Sequence, residues 1–336
     1  MSTRNLLILF GIAVVCATSH AQRSGALSTD GKAAEFSVPR PNSGLTTVAI
    51  APDGVLWFTE STGNRIGRMA QDGSGLKEFD LPHPGSAPRI ITIGSDGHMW
   101  FSEHLGNRMG RITNDGTLTE FDIPTPNSQP RATALGADGN VYFGEFAGGK
   151  IGRVTPAGAI TEFQIPTPDS GPRALAAGPD GNIWFSEFNA SKIGRLTSAG
   201  AITEFTLPRP NSGPGDITAG ADGAMWFVEL AGRMDGRQPD GNRVARITLG
   251  GTITEYPIPS ATGSPINIAV GPDRNIWYTK AGRLGRVTSD GVITEFEIPP
   301  GGPAGLSAGS DRCPPTRLID KLWYTAGDRL GYLAFR

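Results

Sequence analysis

Glutamates recur through this chain at the close of one short phrase, and they are the first residues whose type and spacing indicate chemistry. The phrase reads Trp-Phe-x-Glu or a near variant, and its glutamates are Glu60, Glu103, Glu145, Glu187 and Glu229. Lys280 closes a sixth copy of the phrase. Carboxylates gathered in one place can pair with cations, line a polar pocket, or offer oxygen ligands to Mg²⁺ or Ca²⁺.

A second set of polar residues stands shortly before each phrase, after a proline-rich segment. Its members are Arg89, Arg131, Arg173, Asp216 and Asn267. A residue that returns in every repeat usually serves the repeat, so we expect a ring of Glu–Arg ion pairs that joins neighbouring units. The alternative is that the same ring lines a polar pocket for a small ligand. Both interpretations can hold at different copies.

Few other residues offer nucleophilic or acid–base chemistry. His83 and His104 fall where both can reach the ring near Glu103, whereas His98 falls on the opposite side. A general base needs an imidazole within hydrogen-bond reach of its substrate, and two loop histidines do not establish that, so we expect them to be solvent-exposed. Cys313 has no evident partner base, and the sequence shows no Gly-x-Ser-x-Gly motif, metal-binding His pair or phosphate loop.

The repeat itself predicts the elements that position these residues. All six Trp residues occupy one register within the phrase. A Glu-aromatic pair marks each unit, and successive copies are 43, 42, 42, 42, 51 and 40 residues apart. A period of about 42 residues is that of one four-stranded propeller blade. The sequence therefore predicts an all-β, seven-bladed β-propeller without helices, with the Trp side chains packed between blades.

One unit shows the predicted order of strands within a blade. Residues 172–178 read as the inner strand A, 182–187 as strand B, 192–196 as strand C and 201–207 as the outer strand D. Asp-Gly and related pairs between them supply the positive φ of tight hairpins. The start of strand A and the end of strand B then meet, which places both polar sets at one mouth of the central channel. We expect the arginines of strand C to pair with acids of the adjoining strand.

The two ends of the chain are complementary. Residues 29–39 match the turn and strand D of a blade, whereas residues 306–310, 321–326 and 329–335 read as strands A, B and C without a strand D. We expect the N-terminal strand to complete the C-terminal blade, because this pairing closes the ring and removes an exposed sheet edge.

Two insertions interrupt the period. They are residues 231–242 in the B–C loop of blade 5 and residues 312–320 in the A–B turn of blade 7. Long loops in a strict repeat are where function or disorder concentrates.

Composition and the N-terminal residues predict an exported protein. The 47 Gly, 27 Pro and 38% hydrophobic residues suit many short strands around a core, and a net charge of −2 gives no indication of a nucleic-acid partner. Arg4, the apolar run 6–17 and the small-residue pattern at 19–21 together fit a signal peptide. We predict a signal peptide at residues 1–21 and a single propeller domain at 22–336 that is periplasmic or secreted, monomeric and not inserted in a membrane.

The repeat also resembles a known family. Its motifs are Ile-Thr-Glu-Phe-x-Ile-Pro-x-Pro-x-Ser-Gly-Pro-Arg, then Asp-Gly-x-x-Trp-Phe-x-Glu and Lys-Ile-Gly-Arg. Over the chain from Glu35 onward they resemble the virginiamycin B lyases, or streptogramin lyases. The resemblance implies a seven-bladed propeller that linearises a cyclic depsipeptide antibiotic by elimination. It also implies a histidine base and Mg²⁺ held by glutamates, which stabilises the developing charge.

Carried over position by position, the resemblance predicts that the catalytic groups are missing. The family has a histidine after the proline that opens strand A of the sixth blade, where this chain has Ile266. It has Glu-Pro-His at the start of the seventh blade, where this chain has Gly302, Pro303 and Ala304. A glutamate ends strand B of that blade, where this chain has Ala326. We therefore predict that this chain does not open streptogramins by the family mechanism.

Three functions are open on the sequence alone. The first, which we favour because the blades are intact, is a binding propeller that holds a small molecule, peptide or glycan at the channel mouth. The second is a lyase-type or lactonase-like metal-dependent enzyme with a relocated site. Its candidate oxygen ligands for Mg²⁺ or Ca²⁺ are Glu187, Asp216, Glu229 and Asn267. The third is a structural module of the cell envelope.

Overall fold

A computed structural model shows the chain as seven antiparallel sheets that form the blades of a closed propeller. The structure describes residues 11–13, 28–38, 40, 42–230, 241–261, 263–280, 283–297, 305–307, 321–326 and 328–334. All regular elements in these ranges are strands, and none of the ranges holds a helix suited to crossing a membrane. The predicted all-β, seven-bladed fold is confirmed.

The strands follow the predicted order, with strand A innermost in each blade. The N-terminal strands are β1 (Gly11–Ala13) and β2 (Ser28–Ser37). Blades 1 to 3 comprise β3 (Leu45–Ile50), β4 (Leu56–Glu60), β5 (Arg65–Met69), β6 (Lys77–Asp80), β7 (Pro88–Ile93), β8 (Met99–Glu103), β9 (Arg108–Ile112), β10 (Leu118–Asp122), β11 (Pro130–Leu135), β12 (Val141–Glu145), β13 (Lys150–Val154) and β14 (Ile160–Gln164). Blades 4 to 6 comprise β15 (Pro172–Ala177), β16 (Ile183–Glu187), β17 (Lys192–Leu196), β18 (Ile202–Thr206), β19 (Pro214–Ala219), β20 (Met225–Glu229), β21 (Arg243–Ile247), β22 (Ile253–Pro257), β23 (Pro265–Val270), β24 (Ile276–Lys280), β25 (Arg283–Val287) and β26 (Ile293–Glu297). The C-terminal strands are β27 (Gly305–Ser307), β28 (Lys321–Ala326) and β29 (Arg329–Ala334).

The ring closes through the predicted pairing of its two ends. Strand β2 pairs with β29, with Glu35 opposite Gly331 and Ser37 opposite Arg329. The inner strand β27 then lies beside β3, the inner strand of blade 1. Strand β1 adds a fifth strand outside β2 and lies within the segment predicted as a signal peptide. Cleavage after residue 21 would leave this blade with four strands, like the others.

The turn between strands A and B fixes the position of the tryptophan. In blade 4, the Asp180 carboxylate accepts the backbone N–H of Asn182 at 3.2 Å and the indole N–H of Trp184 at 3.0 Å. Gly181 has φ 77°, the left-handed conformation that this tight turn requires. The Asp-Gly-x-x-Trp spacing of the sequence therefore places a buried indole within reach of its turn carboxylate.

The core consists of aromatic layers between consecutive blades. Trp184 is fully buried and stacks on Phe205 of strand D with ring centroids 5.5 Å apart. Its other contacts come from blade 5, where it packs with Ile217, Met225 and Phe227. The prediction that the Trp residues pack between blades is confirmed for five of them, since Trp57, Trp100, Trp184, Trp226 and Trp323 each cluster with residues of the next blade.

The arginines of strand C add a polar link to the same interfaces. Arg195 lies over the Trp184 ring at 5.4 Å and donates to the carbonyl of Leu249 in blade 5 at 3.0 Å. Arg246 bonds Asp222, an acid of the A–B turn, at 2.6 Å. We expected acids of the adjoining strand as partners. Arg195 instead lies on the same face of the sheet as Trp184, because the two residues are cross-strand neighbours.

Trp184→Ala is expected to lower the free energy of unfolding by about 3–5 kcal/mol, because it empties the layer between blades 4 and 5. Urea denaturation monitored by circular dichroism measures this change. The matched control is Val292→Ala, whose side chain is 57% exposed and whose loss should change stability by less than about 0.5 kcal/mol. A Trp184→Ala protein with the wild-type midpoint would contradict the role of this layer.

Candidate functional site

Each complete blade begins its inner strand with a bulge at the position that carries the mouth arginines. In blade 3, Pro130 lies opposite Glu145, and regular pairing resumes only at Thr133. Two residues are left between them, and the first is Arg131. The same shift occurs in blades 1 to 6. A bulge breaks the alternation of a strand and re-aims its side chain, so the fold offers a variable position at the start of each inner strand.

Buried hydroxyl groups on strand B hold these bulges. Ser102 accepts the backbone N–H of Ile90 at 3.3 Å and donates to the carbonyl of Arg131 in the next blade at 3.1 Å. Thr59 donates to the carbonyl of Arg89 at 2.8 Å in the same way. The preceding blade therefore fixes the backbone at each of these arginines. Sequence reasoning missed these hydroxyls, although a Ser or Thr recurs directly before the final glutamate of the phrase.

Arg89, Arg131 and Arg173 form a group of three cations on adjacent inner strands. The Arg131 guanidinium lies over the ring of Phe146 at 4.9 Å, and that of Arg173 lies over Phe188 at 5.1 Å. Burial, and then the charges of Arg89 and Arg173, lowers the pKa of Arg131 to about 9, which leaves it charged at neutral pH. Throughout the described part of the chain, none of the three guanidinium groups has a protein hydrogen bond or ion pair.

His104 joins this group, whereas His83 does not. The Nδ1 atom of His104 lies 3.3 Å from the carbonyl of Pro130. Burial, then the charges of Arg89 and Arg131, lowers the pKa of His104, so its imidazole is neutral at neutral pH. His83 instead pairs with Glu120 on the outer strand of blade 2. The prediction that both histidines reach the mouth therefore holds for His104 alone.

Asp216 and Asn267 complete the mouth on blades 5 and 6. The Asp216 carboxylate accepts backbone N–H groups from Ile217 at 3.0 Å and Ile268 at 3.1 Å. Asn267 Nδ2 lies 3.5 Å from the same carboxylate. Burial raises the pKa of Asp216 to about 6, against the opposing effect of these donors and of Arg173. We use "channel mouth" below for Arg89, Arg131, Arg173, His104, Asp216 and Asn267.

The strand-B glutamates are buried at the ends of their strands and, in the part of the chain that the structure describes, do not pair with the mouth arginines. All are fully buried; they are Glu60, Glu103, Glu145, Glu187 and Glu229. Glu60 pairs with Arg65 of its own blade at 2.6 Å. In the described residues, neither carboxylate oxygen of the other four has a hydrogen-bond partner. The predicted ring of ion pairs with Arg89, Arg131 and Arg173 is therefore corrected.

Strand geometry explains this correction. Neighbouring residues on a strand point to opposite faces of the sheet. The Ser or Thr hydroxyl of strand B contacts the next blade, so the glutamate that follows it points away from that blade. The nearby cations are already taken by strand D, since Lys150 pairs with Glu162 at 2.7 Å and Lys192 with Glu204 at 3.3 Å. Lys280 is buried in the same way and donates to Asn242 Oδ1 at 2.6 Å and to the carbonyl of Ser260.

The relocated metal site predicted from the sequence is not assembled. Glu187 and Glu229 are buried on the strand faces that pack against the preceding blade, and of the four residues only Asp216 and Asn267 are in contact. Among the residues that the structure describes, no three His, Cys, Asp or Glu side chains converge on a point that could hold a metal ion. The set proposed for Mg²⁺ or Ca²⁺ is therefore divided between the mouth and the buried ends of two strands B.

Two positions for which the resemblance implies a base and a metal ligand carry apolar residues that could not hold Mg²⁺. Ile266 occupies the register of the mouth arginines in blade 6, and its apolar side chain, 37% exposed, offers neither a base nor a ligand. Ala326 ends strand β28 without a carboxylate. Residues 302–304, and the insertion at 312–320 with Cys313, lie outside the described residues, as does most of the 231–242 insertion.

A crevice of about 270 Å³ lies away from the mouth, beside the A–B turns of blades 5 and 6. Its carboxylates already accept hydrogen bonds from other side chains of the protein. Asp222 accepts hydrogen bonds from Trp226 and Arg246, and Asp273 accepts one from Trp277. The crevice therefore offers a ligand few uncommitted polar groups.

Comparisons with known proteins relate the chain to one family. The sequence profile of the virginiamycin B lyase family matches residues 10–235 and 237–327. Virginiamycin B lyase from Staphylococcus aureus superposes with a TM-score of 0.82 at 34% identity, over 91% of this chain and 99% of that one.

Two further comparisons are narrower. Virginiamycin B lyase from Bordetella parapertussis is 52% identical over 40 residues, which are 12% of this chain and 13% of that curated relative. The aligned segment thus spans about an eighth of that relative's length. A putative gluconolactonase superposes with a TM-score of 0.53 at 16% identity, over 90% of this chain and 92% of that one, and shares the fold alone.

The buried glutamates predict a fold that is more stable at mildly acidic than at alkaline pH. Burial, then the charge of the outer-strand glutamate, raises the pKa of Glu145, Glu187 and Glu229 to about 8 from the ordinary 4.5. Between these values the folded chain keeps protons that the unfolded chain releases. The free energy of unfolding should therefore fall through this window, by at most roughly 1.4 kcal/mol per pH unit for each group. Thermal unfolding from pH 5 to pH 9 measures the slope.

The side chain introduced by Glu145→Gln is neutral at every pH, so the free energy of unfolding of this variant should depend less on pH. The control is Asp122→Asn, an exposed carboxylate that pairs with Arg108 at 2.9 Å and should leave the slope as in the wild type. A slope that is identical in all three proteins would show that Glu145 is ionised in the fold at neutral pH.

Proposed function

We propose that this chain, which belongs to the virginiamycin B lyase family, is a ligand-binding propeller that holds a small molecule at the channel mouth without opening streptogramins. The predicted signal peptide at residues 1–21 would place this binding in the periplasm or outside the cell. The proposal is supported chiefly by the three mouth arginines, since no described protein group neutralises them by direct contact.

Unpaired buried cations are a cost to the fold. Arg131 is 8% exposed, and desolvating a charge without a partner lowers stability by several kcal/mol in order of magnitude. Arg89 and Arg173 increase this cost by repulsion, since each lowers the pKa of Arg131. The buried charge of Arg131 is accounted for most simply by a ligand that it binds together with the half-buried Arg89 and Arg173.

The composition of the mouth argues against the ring-opening reaction of the family. That elimination needs a base and a metal-held developing charge, as the resemblance implies. Ile266 stands in blade 6 at the position where the resemblance implies the histidine base. At the mouth, the Asp216 carboxylate is occupied by two backbone N–H groups. The described mouth groups therefore suit binding and orientation better than proton abstraction.

Incubation with quinupristin or virginiamycin S₁ and Mg²⁺ tests the catalytic half of the proposal. The antibiotic should remain intact by mass spectrometry, because the side chains at the family's catalytic positions include neither the base nor the metal ligands. Virginiamycin B lyase from Staphylococcus aureus serves as the positive control. Ring-opened product formed by the purified chain would contradict this half of the proposal.

A ligand-observed NMR screen of a mixed fragment library tests the binding half. Fragments that bind the wild type at the mouth should bind Arg131→Ala at least about tenfold more weakly, because a charge-assisted contact is lost. Arg153→Ala is the matched control, since Arg153 lies over Phe163 at 5.2 Å and donates to Ser198 of the next blade. Hits that bind both variants and the wild type equally would place binding elsewhere.

The same screen separates two residues that sequence reasoning placed together. Glu145→Ala should lower stability, because it opens a cavity in blade 3, but it should leave the affinity of the folded protein for mouth ligands unchanged.

A further inference from the structure

We infer that the channel mouth recognises a doubly negative oxyanion group, such as a phosphate monoester or a dicarboxylate, through Arg89, Arg131 and Arg173. This inference rests on the proposed function, since it names the chemical class of ligand for the same mouth.

The charge balance of the mouth points to two negative charges on the ligand. Three guanidinium groups contribute three positive charges. His104 adds none at neutral pH, because burial and the arginine charges lower its pKa. Asp216 is the carboxylate whose charge acts on this group, through Arg173. Two positive charges therefore remain for a ligand to neutralise.

Asp216 does not compete with that ligand. Both of its oxygens are engaged by backbone, Oδ1 by the N–H of Ile217 and Oδ2 by the N–H of Ile268. These bonds hold the carboxylate on blades 5 and 6, away from direct contact with Arg173. In the described part of the chain no ion pair joins Asp216 to Arg173, so the donors of Arg173 remain available to a ligand.

Aromatic rings lie against two of the three guanidinium groups. The guanidinium carbon of Arg131 is 4.9 Å from the centre of Phe146 and that of Arg173 is 5.1 Å from the centre of Phe188, and the two rings lie 6.4 Å apart. The N–H donors of both arginines have no protein partner among the described residues, and a guanidinium group matches the paired oxygens of carboxylate or phosphate. The rings also exclude water from one side, which strengthens attraction to an anion.

The backbone at two of the three arginines is held by the preceding blade before any ligand arrives. Thr59 and Ser102 donate to the carbonyls of Arg89 and Arg131 from the preceding blade. A site whose backbone is already in place loses less conformational freedom on binding, and more of the interaction energy appears as affinity.

Among the inner-strand starts that the structure describes, those of blades 1 to 6, the cations lie on one side of the mouth, and this indicates an organic ligand. In the same register, blades 5, 6 and 1 carry Gly215, Ile266 and Thr46, none of which is charged. The oxyanion group would lie over blades 2 to 4, and the uncharged part of the molecule would face the opposite side, where Ile266 is partly exposed.

Isothermal titration at constant ionic strength tests the inference with four defined probes: phenyl phosphate, succinate, acetate and benzyl alcohol. Phenyl phosphate or succinate should bind saturably and more tightly than acetate by at least about tenfold, since each carries the second charge. Binding of phenyl phosphate alone would identify a phosphate monoester as the ligand group, and binding of succinate alone a dicarboxylate. Acetate as tight as the dianions would overturn the inference.

Arg131→Gln should weaken dianion binding at least about tenfold, while Arg153→Gln should leave it unchanged. Thermal unfolding of the apo proteins supplies a second readout. If Arg131 serves a ligand, its neutral replacement should leave the melting temperature unchanged or raise it, because a repelling buried charge is removed. If Arg131→Gln has a lower melting temperature and the wild type binds no anion, Arg131 stabilises the fold and the inference is wrong.

The same measurements separate failure of the inference from failure of the proposed function. Neutral fragments that depend on Arg131, with no response to any dianion, would overturn the anion class and leave the binding function standing. If neither neutral fragments nor dianions bind, the inference and the proposed binding function are both wrong.

Discussion

Burial of the strand-B tryptophans between consecutive blades is the interaction on which the rest of this structure depends. The turn carboxylate positions the indole in four blades, as Asp180 does for Trp184, and the aromatic of strand D stacks on it. The exposed face of that stack is covered only by the following blade, so no blade is stable alone. Ring closure follows from the same requirement. Phe36 of β2 stacks on Trp323 of β28, with ring centroids 6.3 Å apart, and supplies the aromatic that the C-terminal segment lacks.

This packing also decides which polar residues are available for function. Fixing the tryptophan toward the next blade fixes the direction of every other residue on strand B. The hydroxyl of Ser102 must face the next blade, and Glu103 must face the other side of the sheet, where Phe101 packs against the preceding blade. Strand A is less constrained, because its bulge lies outside the regular ladder. The residue after the opening proline can therefore vary between blades without disturbing the core, and chemical specificity can be placed there.

The sequence predicted the fold well because its signals are local and repeated. Asp-Gly turns, the Trp register and the 42-residue period each indicate the same blade, and the incomplete units at the two ends indicated how the ring closes. The site was predicted less well, because side-chain direction at a strand end depends on pairing that composition does not reveal. Arg131 and Glu145 both lie near the end of a hairpin, yet the bulge frees the first and the alternation buries the second. The competition of Glu162 for Lys150 could not be read from the repeat either.

Family membership and activity rest on different residues in this fold. Membership follows from the turn, the tryptophan and strand C, which build the blades. The resemblance implies that activity depends on a few residues at the starts of inner strands and the ends of strands B. In this chain the cations of the mouth lie on blades 2 to 4 and Asp216 lies on blade 5, whereas blade 6 presents Ile266 and Asn267. Burial, and then the charges of the adjoining arginines, lowers the pKa of the His104 imidazole and weakens it as a base. A mouth with strong donors and only a weak base stabilises negative charge that a ligand already carries, which is the property of a binding site for anions.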